Sequence, residues 1–529
     1  MEEIFLYDSP IDKKPEINIW IAFPAIYSFG MSSLGYMSIF KTLDKRRDYF
    51  VERIFTDTKS TKIPVEHVDL MCFSFSFELD FLGMFKILSK YNIPFNSKDR
   101  TEKHPIIFGG GPVLSANPEP YSDFFDFINI GDSENLDTTV IDIIKNNKNL
   151  SKKEILEKLS TIEGIYVPSL TEFDVDNNTV LMNGKPLEVQ KITAKLDNCI
   201  ATPVLSESSY FSNTYIIEIA RGCAQRCGFC LASYLNLPVR FVDYEKIIER
   251  IDFGLKYTNK IALLGALITA HPDFDKICEH ILKQKSQIPE LEMSVSSLRA
   301  DAISPLVVKT LVECGQKNST IAIEAGSERL RKLINKNLSE SQIFETIKIA
   351  KDNGLRGIKI YAMIGHPTET IDDIKELVQL ARSMKETYKG FDFSYSFTTF
   401  VPKAHTPFQF CKREDTKSLE KKYAYLKKEF HKAGIKINCT SAMWDYYQAL
   451  LSRGDRRLGQ YLIEVYNESG NLGAFKQVYK KMHKKGLLPP PDYFASNEIP
   501  TDKNLPWNFI KFYPGSDILI KEYQRLINL

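Results

Sequence analysis

Short apolar runs alternate with stretches of helical period through the first 150 residues. Ile17 to Phe23, Val68 to Ser74, Pro105 to Phe108 and Phe125 to Ile130 carry too few polar positions for a one-sided sheet, so they read as buried parallel strands. Leu79 to Tyr91 reads as an intervening helix, and from about Ser32 the residues Tyr36, Ile39, Phe40 and Leu43 fall on one helical face. This alternation predicts an α/β domain of doubly wound type. From Thr161 to about Ser206 the pattern becomes extended runs broken by Asp176-Asn177-Asn178 and Asn183-Gly184, which is hairpin chemistry. A second alternation starts at Tyr215, with strands expected at Tyr215 to Ala220, Lys260 to Leu264, Glu292 to Ser297, Thr320 to Ile323, Gly357 to Ile364 and Asp392 to Phe400. Its extent, to about Pro402, is that of a complete or partial (β/α) barrel. Lys412 to Lys436 then reads as a charged helix with an apolar stripe of Leu419, Tyr423, Leu426 and Phe430, followed by a smaller mixed region with Pro489-Pro490-Pro491 and a terminal helix. The expected organisation is an α/β domain over 1–160, a bridging hairpin segment over 161–206, a barrel over 207–410 and a C-terminal region over 411–529.

Composition narrows the setting. The uncharged stretch from Ile17 to Phe40 has the length of a membrane span, but Asn18, Pro24, Gly30, Gly35 and four serines make it a poor lipid-facing helix, so no membrane partner is expected. Over 529 residues, 69 Lys and Arg meet 67 Asp and Glu, and a net charge of +2 excludes a global field for nucleic acid or anionic membrane. Met1 to Asp12 bears acids and no basic apolar signal region, so a cytoplasmic location is expected rather than export. The nine cysteines, at 72, 199, 223, 227, 230, 278, 314, 411 and 439, are odd in number and scattered, which is no disulfide framework.

Three of them are bunched. Cys223-Ala-Gln-Arg-Cys227-Gly-Phe-Cys230 follows the apolar strand Tyr215 to Ala220 across Arg221-Gly222. Three soft sulfur ligands on one loop suit three irons of a cubane cluster, and without a fourth cysteine nearby one iron stays open to another ligand. A zinc site or three inert buried thiols are the alternatives; structural zinc usually takes four protein ligands, and no Cys or His occurs in the next forty residues.

Cys-x3-Cys-x2-Cys with Phe229 before the last cysteine, after the first strand of a barrel, resembles the radical S-adenosylmethionine (SAM) superfamily. The resemblance implies a [4Fe-4S] cluster on Cys223, Cys227 and Cys230 with Phe229 beside it, SAM chelating the open iron, and reductive cleavage to a 5′-deoxyadenosyl radical. It further implies an electron donor such as a flavodoxin or ferredoxin. Leu264-Gly265-Ala266 stands where the family often has Gly-Gly-Glu, here without the acid, so Gly265 is a backbone candidate for the methionine amino group. Ala322-Ile-Glu-Ala-Gly-Ser-Glu328 resembles the fourth-strand motif, with Glu324 and Ser327 as cofactor candidates and Ser296 and Arg299 as others on the preceding strand. Lys359-Ile-Tyr-Ala-Met-Ile-Gly-His-Pro-Thr-Glu369 resembles the adenine-contacting segment, with Gly365 allowing close backbone approach. Each also reads as a strand end with a turn glycine or a helix cap. His366 and His405 are acid–base candidates that also suit turns closed by Pro367 and Pro407. No catalytic residue is assigned.

Ile106-Ile-Phe-Gly-Gly-Gly-Pro112, Asn117-Pro-Glu-Pro120 and Ile130-Gly-Asp-Ser-Glu134 resemble the cobalamin-binding-type domain that precedes many such barrels. An Asp-x-His-x-x-Gly run is absent, so cobalamin is either bound without a histidine axial ligand or not bound. The three-part order resembles an uncharacterised radical SAM subgroup and implies chemistry without naming a substrate: a deoxyadenosyl radical, or methyl transfer if cobalamin binds. Arg453, Arg456 and Arg457 with the basic helix leave open modification of RNA or a ribosome-associated substrate, or else a salt-bridged turn docking the terminal region onto the barrel. A non-catalytic iron–sulfur electron carrier or scaffold is the competing class.

Overall fold

The computed structural model describes residues 2–134 and 139–529. The first domain is a six-stranded sheet in the spatial order Tyr49–Ile54, Ile17–Ala22, Leu70–Ser74, Ile106–Gly110, Phe127–Asn129, Ile165–Tyr166. All neighbours pair in parallel except the last, Ile128↔Tyr166 being antiparallel. The chain enters at Ile17–Ala22, adds Tyr49–Ile54 on one side, then crosses to Leu70–Ser74 on the other. This creates the topological switch point outside which α/β sheets bind ligands. The expected helices are Leu34–Asp44 and Asp80–Lys90, one on each face. Tyr49–Ile54 escapes the sequence pattern because Glu52 and Arg53 are only partly buried at the edge of the sheet, which breaks the apolar run.

The hairpins fall where the turn residues point: Glu172–Asp174, Thr179–Met182 and Lys185–Pro186 form a small antiparallel sheet, with Asn178 and Asn183 at positive φ in its turns.

The second domain is an arc of seven parallel strands in two ladders. Tyr215–Glu218, Lys260–Leu264 and Glu292–Val295 form the first; Asn318–Glu324, Gly357–Ile364, Asp392–Thr399 and Lys436–Cys439 form the second. A single bridge, Leu298↔Ile321, links them, and no ladder among the described residues joins Lys436–Cys439 back to Tyr215–Glu218, so the barrel is partial. The sheet therefore runs past residue 410. Helix Thr416–Lys432 buries the expected stripe Leu419, Tyr423, Leu426 and Phe430 in the barrel core and delivers the seventh strand. Outward-facing residues such as Ile261, Leu263, Ile358, Ile360, Phe393 and Phe397 are buried against the helices. The alternate residues Leu264, Ser294, Tyr361 and Thr398 are exposed, so the lumen is open.

The C-terminal region does not simply append to the barrel. Helices Ala442–Ser452, Leu458–Asn467 and Leu472–Lys484 bury Tyr447, Leu450, Tyr461, Leu462 and Phe475 against Trp20, Phe81 and Phe85, in one core with the first domain's sheet. Ile510–Lys511 pairs with Val189–Gln190 of the bridging segment. The terminal helix Ser516–Ile527 places Tyr523 and Leu526 with Trp507, Phe408 and Ile334, against the partly buried Phe229. The chain thus closes on both of its larger domains.

Candidate active site

The cysteine loop leaves the barrel after Ala220–Arg221, turning at Gly222 (φ +88°), where a Cβ would lie 2.5 Å from the Asn236 carbonyl oxygen. Three anchors set its course. Asn335 Nδ2 donates to the carbonyls of Gln225 (3.1 Å) and Arg226 (3.0 Å), and Tyr234 Oη also donates to Arg226 O (2.9 Å). Gly228 N–H donates to Ile334 O (3.0 Å), and Phe408 N–H donates to Gly228 O (3.0 Å). A side chain at Gly228 would meet Leu526 Cδ1 and Phe408 Cζ at 2.9 Å, so the glycine lets the terminal helix pack closely on the loop. Sequence reasoning missed Asn335 and Tyr234; the signal was Asn335-Lys336-Asn337, whose asparagines adopt the positive φ (58° and 47°) that this residue type tolerates.

All three cysteines are free; Cys227 is buried, Cys223 and Cys230 half-buried. Burial pushes the Cys227 thiol up to about 12, Lys336 opposing and Cys230 adding to it. Burial also raises Cys230, against hydrogen bonds from Ser233, with the Cys223 charge adding to the rise. Among the described residues no three His, Cys, Asp or Glu side chains converge tightly enough to hold a single metal ion. A cubane binds its cysteines through three separate irons and does not need them at one point. Soft, mutually repelling thiols, buried or half-buried and gathered on one loop, suit a cationic iron–sulfur group, which would stabilise the thiolates.

The other candidate residues divide. Gly265 sits at the end of Lys260–Leu264, where a Cβ would lie 3.1 Å from Ala220 O. Ser296 is exposed just past Glu292–Val295. Glu324 ends its strand at a register shift with φ +66°, and its carboxylate meets Lys336 Nζ at 3.3 Å. His366 Nε2 donates to Glu324 O (3.3 Å), its Nδ1 has no partner among the described residues, and its ring centre lies 6.4 Å from that of Phe229. Burial lowers the His366 pKa, so the ring is neutral and Nδ1 is an acceptor.

By contrast, Ser327 caps helix Glu328–Leu333, accepting from Leu330 N–H (3.2 Å) and donating to Asp373 Oδ1 (2.6 Å) inside the protein. Gly365 adopts a left-handed φ of +79°, which favours glycine, and its Cβ position would lie 2.7 Å from Leu419 Cδ2 of the packed helix. Arg299 is buried, donating to Lys336 O and pairing with Asp301 (2.6 Å). His405 is buried edge-on to Phe512, and burial lowers its pKa to about 3.

Of the two readings the sequence leaves open for the arginine turn, the side chains adopt the salt-bridged docking turn. Arg453 is buried and donates to the carbonyls of Phe494, Ala495, Asn497, Gln409 and Cys411. Arg456 pairs with the fully buried Glu119 (3.1 Å) and donates to Thr171 O (3.1 Å), so it docks the terminal region on the first domain rather than on the barrel. Arg457 holds Asp455 (2.6 Å).

A cavity of about 1220 Å³ separates the first domain from the barrel. Its lining joins the carboxyl ends of the first sheet (Ser74, Gly110, Asn129) to the barrel-strand residues Glu218 and Leu264. The glycine run is partly structural: at Gly111 (φ +105°) a Cβ would strike Phe75 O at 2.4 Å, whereas Gly110 has nothing nearer than 3.8 Å.

Comparison with known proteins agrees with this architecture. A family model described as radical SAM proteins, N-terminal, matches residues 35–168, and one described as radical SAM superfamily matches 217–381. Together they span more than half of the chain. The chain belongs to the radical SAM superfamily and is a radical SAM enzyme, working with a [4Fe-4S] cluster and SAM. An uncharacterized protein of Methanocaldococcus jannaschii is 29% identical over 87% of this chain and 94% of its own length. The tRNA-2-methylthio-N(6)-dimethylallyladenosine synthase of Anaplasma phagocytophilum is 26% identical over 36% of this chain and only 44% of its own length. The structure of the cobalamin-dependent SAM radical enzyme OxsB with aqua-cobalamin and SAM bound superposes with a TM-score of 0.52 at 15% identity, over 89% of this chain and 71% of that one, and so shares the fold. Among the described residues no helix is long and apolar enough to cross a membrane.

Proposed function

We propose that Cys223, Cys227 and Cys230 hold the cluster, that SAM lies at the open lumen beside Gly265, Ser296 and Glu324, and that a corrinoid fills the cavity between the domains. The enzyme then transfers a methyl group to a carbon of a substrate not yet identified. The observation that carries this reading is the cavity: it lies at the first sheet's switch point, where such sheets bind ligands, and it reaches the first two barrel strands. OxsB, which shares the fold, is described as cobalamin-dependent. When bound, the cluster and SAM supply a 5′-deoxyadenosyl radical and the corrinoid a transferable methyl group. The chain's own residues position and exclude water. Asn335 and Tyr234 hold the cysteine loop by its backbone, and the terminal helix covers it through Leu526. His366, neutral and buried beside Phe229, offers an acceptor without adding charge. The Asp-x-His-x-x-Gly run is lacking, so the corrin takes no histidine from such a motif. We place the enzyme in a reducing cytoplasm, drawing electrons from a flavodoxin- or ferredoxin-like donor.

The test is anaerobic reconstitution followed by dithionite and SAM. Product 5′-deoxyadenosine or demethylated SAM is expected, together with a corrin absorbance band in protein purified from cobalamin-fed cells. Cys227→Ala is expected to reduce iron, sulfide and product to background. A fully loaded cluster giving neither product overturns the catalytic assignment, and a repeatedly absent corrin band overturns the corrinoid.

A further inference from the structure

The charges lining the interdomain cavity are unevenly satisfied. Asp132, Glu134 and Glu218 are all engaged by Arg221 (3.1, 2.7 and 2.8 Å), and Asp132 is also held by Arg240 (2.7 Å). Lys41, Lys45 and Arg250 line the same cavity and form no ion pair among the described residues. They come from two domains: Lys41 and Lys45 from the end of helix Leu34–Asp44, Arg250 from helix Tyr244–Gly254 of the barrel. Asp44, beside Lys45 in the chain, is engaged by Lys13 (2.6 Å), and Glu249, beside Arg250 in the chain, forms no ion pair among the described residues but is not part of the lining. Asp197 is the one carboxylate of the lining without an ion pair. Arg250 Nε donates to Cys199 O (3.2 Å), which holds the guanidinium in place. Burial, and then the like charges of Arg250 and Lys45, push the Lys41 ammonium below its ordinary value. Lys41 and Arg250 are half-buried and Lys45 is exposed, and like charges brought together there cost free energy unless an anion joins them. One Arg fork and two ammonium groups supply the many donors that a phosphoryl group's oxygens accept.

We infer that Lys41, Lys45 and Arg250 form a phosphate subsite at the wall of the interdomain cavity, which holds the phosphate of the molecule occupying it. If the occupant is the corrinoid of the proposed function, on which this form of the inference rests, the phosphate is that of its nucleotide loop. If not, it belongs to a phosphorylated substrate. Because the subsite spans both domains, its ligand also fixes the cavity's width.

The experiment compares wild type with Lys41→Gln/Lys45→Gln, which leaves Arg250 and its hydrogen bond in place, and with Lys45→Glu at an exposed position. Two corrin probes are titrated: hydroxocobalamin, and cobinamide, which has the same ring without the nucleotide loop and its phosphate. In parallel, thermal melting is followed in inorganic pyrophosphate against chloride of equal ionic strength. Hydroxocobalamin affinity is expected to fall by about tenfold or more in both variants, the scale of a lost charge-assisted hydrogen bond, with cobinamide unchanged. If wild type binds neither corrin, yet pyrophosphate raises its melting temperature and not that of the variants, the subsite stands with a phosphorylated substrate and the corrinoid reading falls. Equal changes for both corrins, or none, overturn the subsite while leaving the corrinoid in place. Absence of both corrin binding and pyrophosphate protection, or protection equal in the variants, overturns it too.

Discussion

Removing Arg456 tests the way the ends of the chain are joined. Glu119 is fully buried in the first domain; Arg456 Nε lies 3.1 Å from its Oε2, and Tyr166 Oη donates to its Oε1 at 2.6 Å. Deleting one partner of a buried pair costs about 3 to 5 kcal/mol, because the other charge is left without compensation. Arg456→Ala leaves Glu119 one hydrogen bond from Tyr166 and free to take up a proton, which holds the expected loss near the lower end, about 3 kcal/mol. The loss carries a pH signature. Burial already raises the Glu119 carboxyl, and Arg456 is the largest group opposing that rise. In the variant the folded-state pKa climbs further above the unfolded value of about 4.3, so the folded chain keeps a proton that the unfolded chain releases as pH rises. The unfolded value is common to both proteins, so the deficit is smallest while Glu119 stays protonated in both folded forms and grows as pH rises from the wild-type folded pKa, which lies above the ordinary carboxylate value, to that of the variant. Urea unfolding followed by tryptophan fluorescence measures it, since Trp20 is buried in, and Trp444 packs on, the core shared by the first sheet and the C-terminal helices. In a multidomain chain the comparison belongs to that transition alone. Glu119→Gln with Arg456→Ala should recover part of the loss by removing the stranded charge. A deficit below about 1 kcal/mol that stays flat over roughly pH 5 to 8 would refute the argument.

Other substitutions separate scaffold from site. Ser327→Ala removes the cap on Leu330 N–H and the hydrogen bond to Asp373, and should cost about 1 to 3 kcal/mol in unfolding experiments while leaving 5′-deoxyadenosine formed per folded molecule unchanged. Gly365→Ala combines a positive φ of 79° with a Cβ 2.7 Å from Leu419 Cδ2, and should lower stability by about 1 to 3 kcal/mol in the same assay. Asn335→Ala frees the carbonyls of Gln225 and Arg226, and should slow or lower iron incorporation during reconstitution with a modest change in melting temperature.

Much of this architecture was written locally. Runs buried on both faces mark the parallel strands, asparagine and glycine mark the hairpin turns, and the spacing of Cys223, Cys227 and Cys230 places three thiols on one loop, because each depends on neighbours in the chain. The same local signals were ambiguous at Ser327 and Gly365, where only the positions of Asp373 and Leu419 show a helix cap and a packing glycine. Other features follow from residues far apart in sequence. The C-terminal helices share a core with Trp20, Arg456 reaches Glu119 across 337 positions, and Asn335 holds the cysteine loop from 109 positions away. Lys41 and Lys45 read in the chain as ordinary surface charges. Only the approach of two domains sets them beside Arg250 around a shared cavity, with no ion pair to any of the three among the described residues, since desolvation and like-charge repulsion depend on who the neighbours are in space.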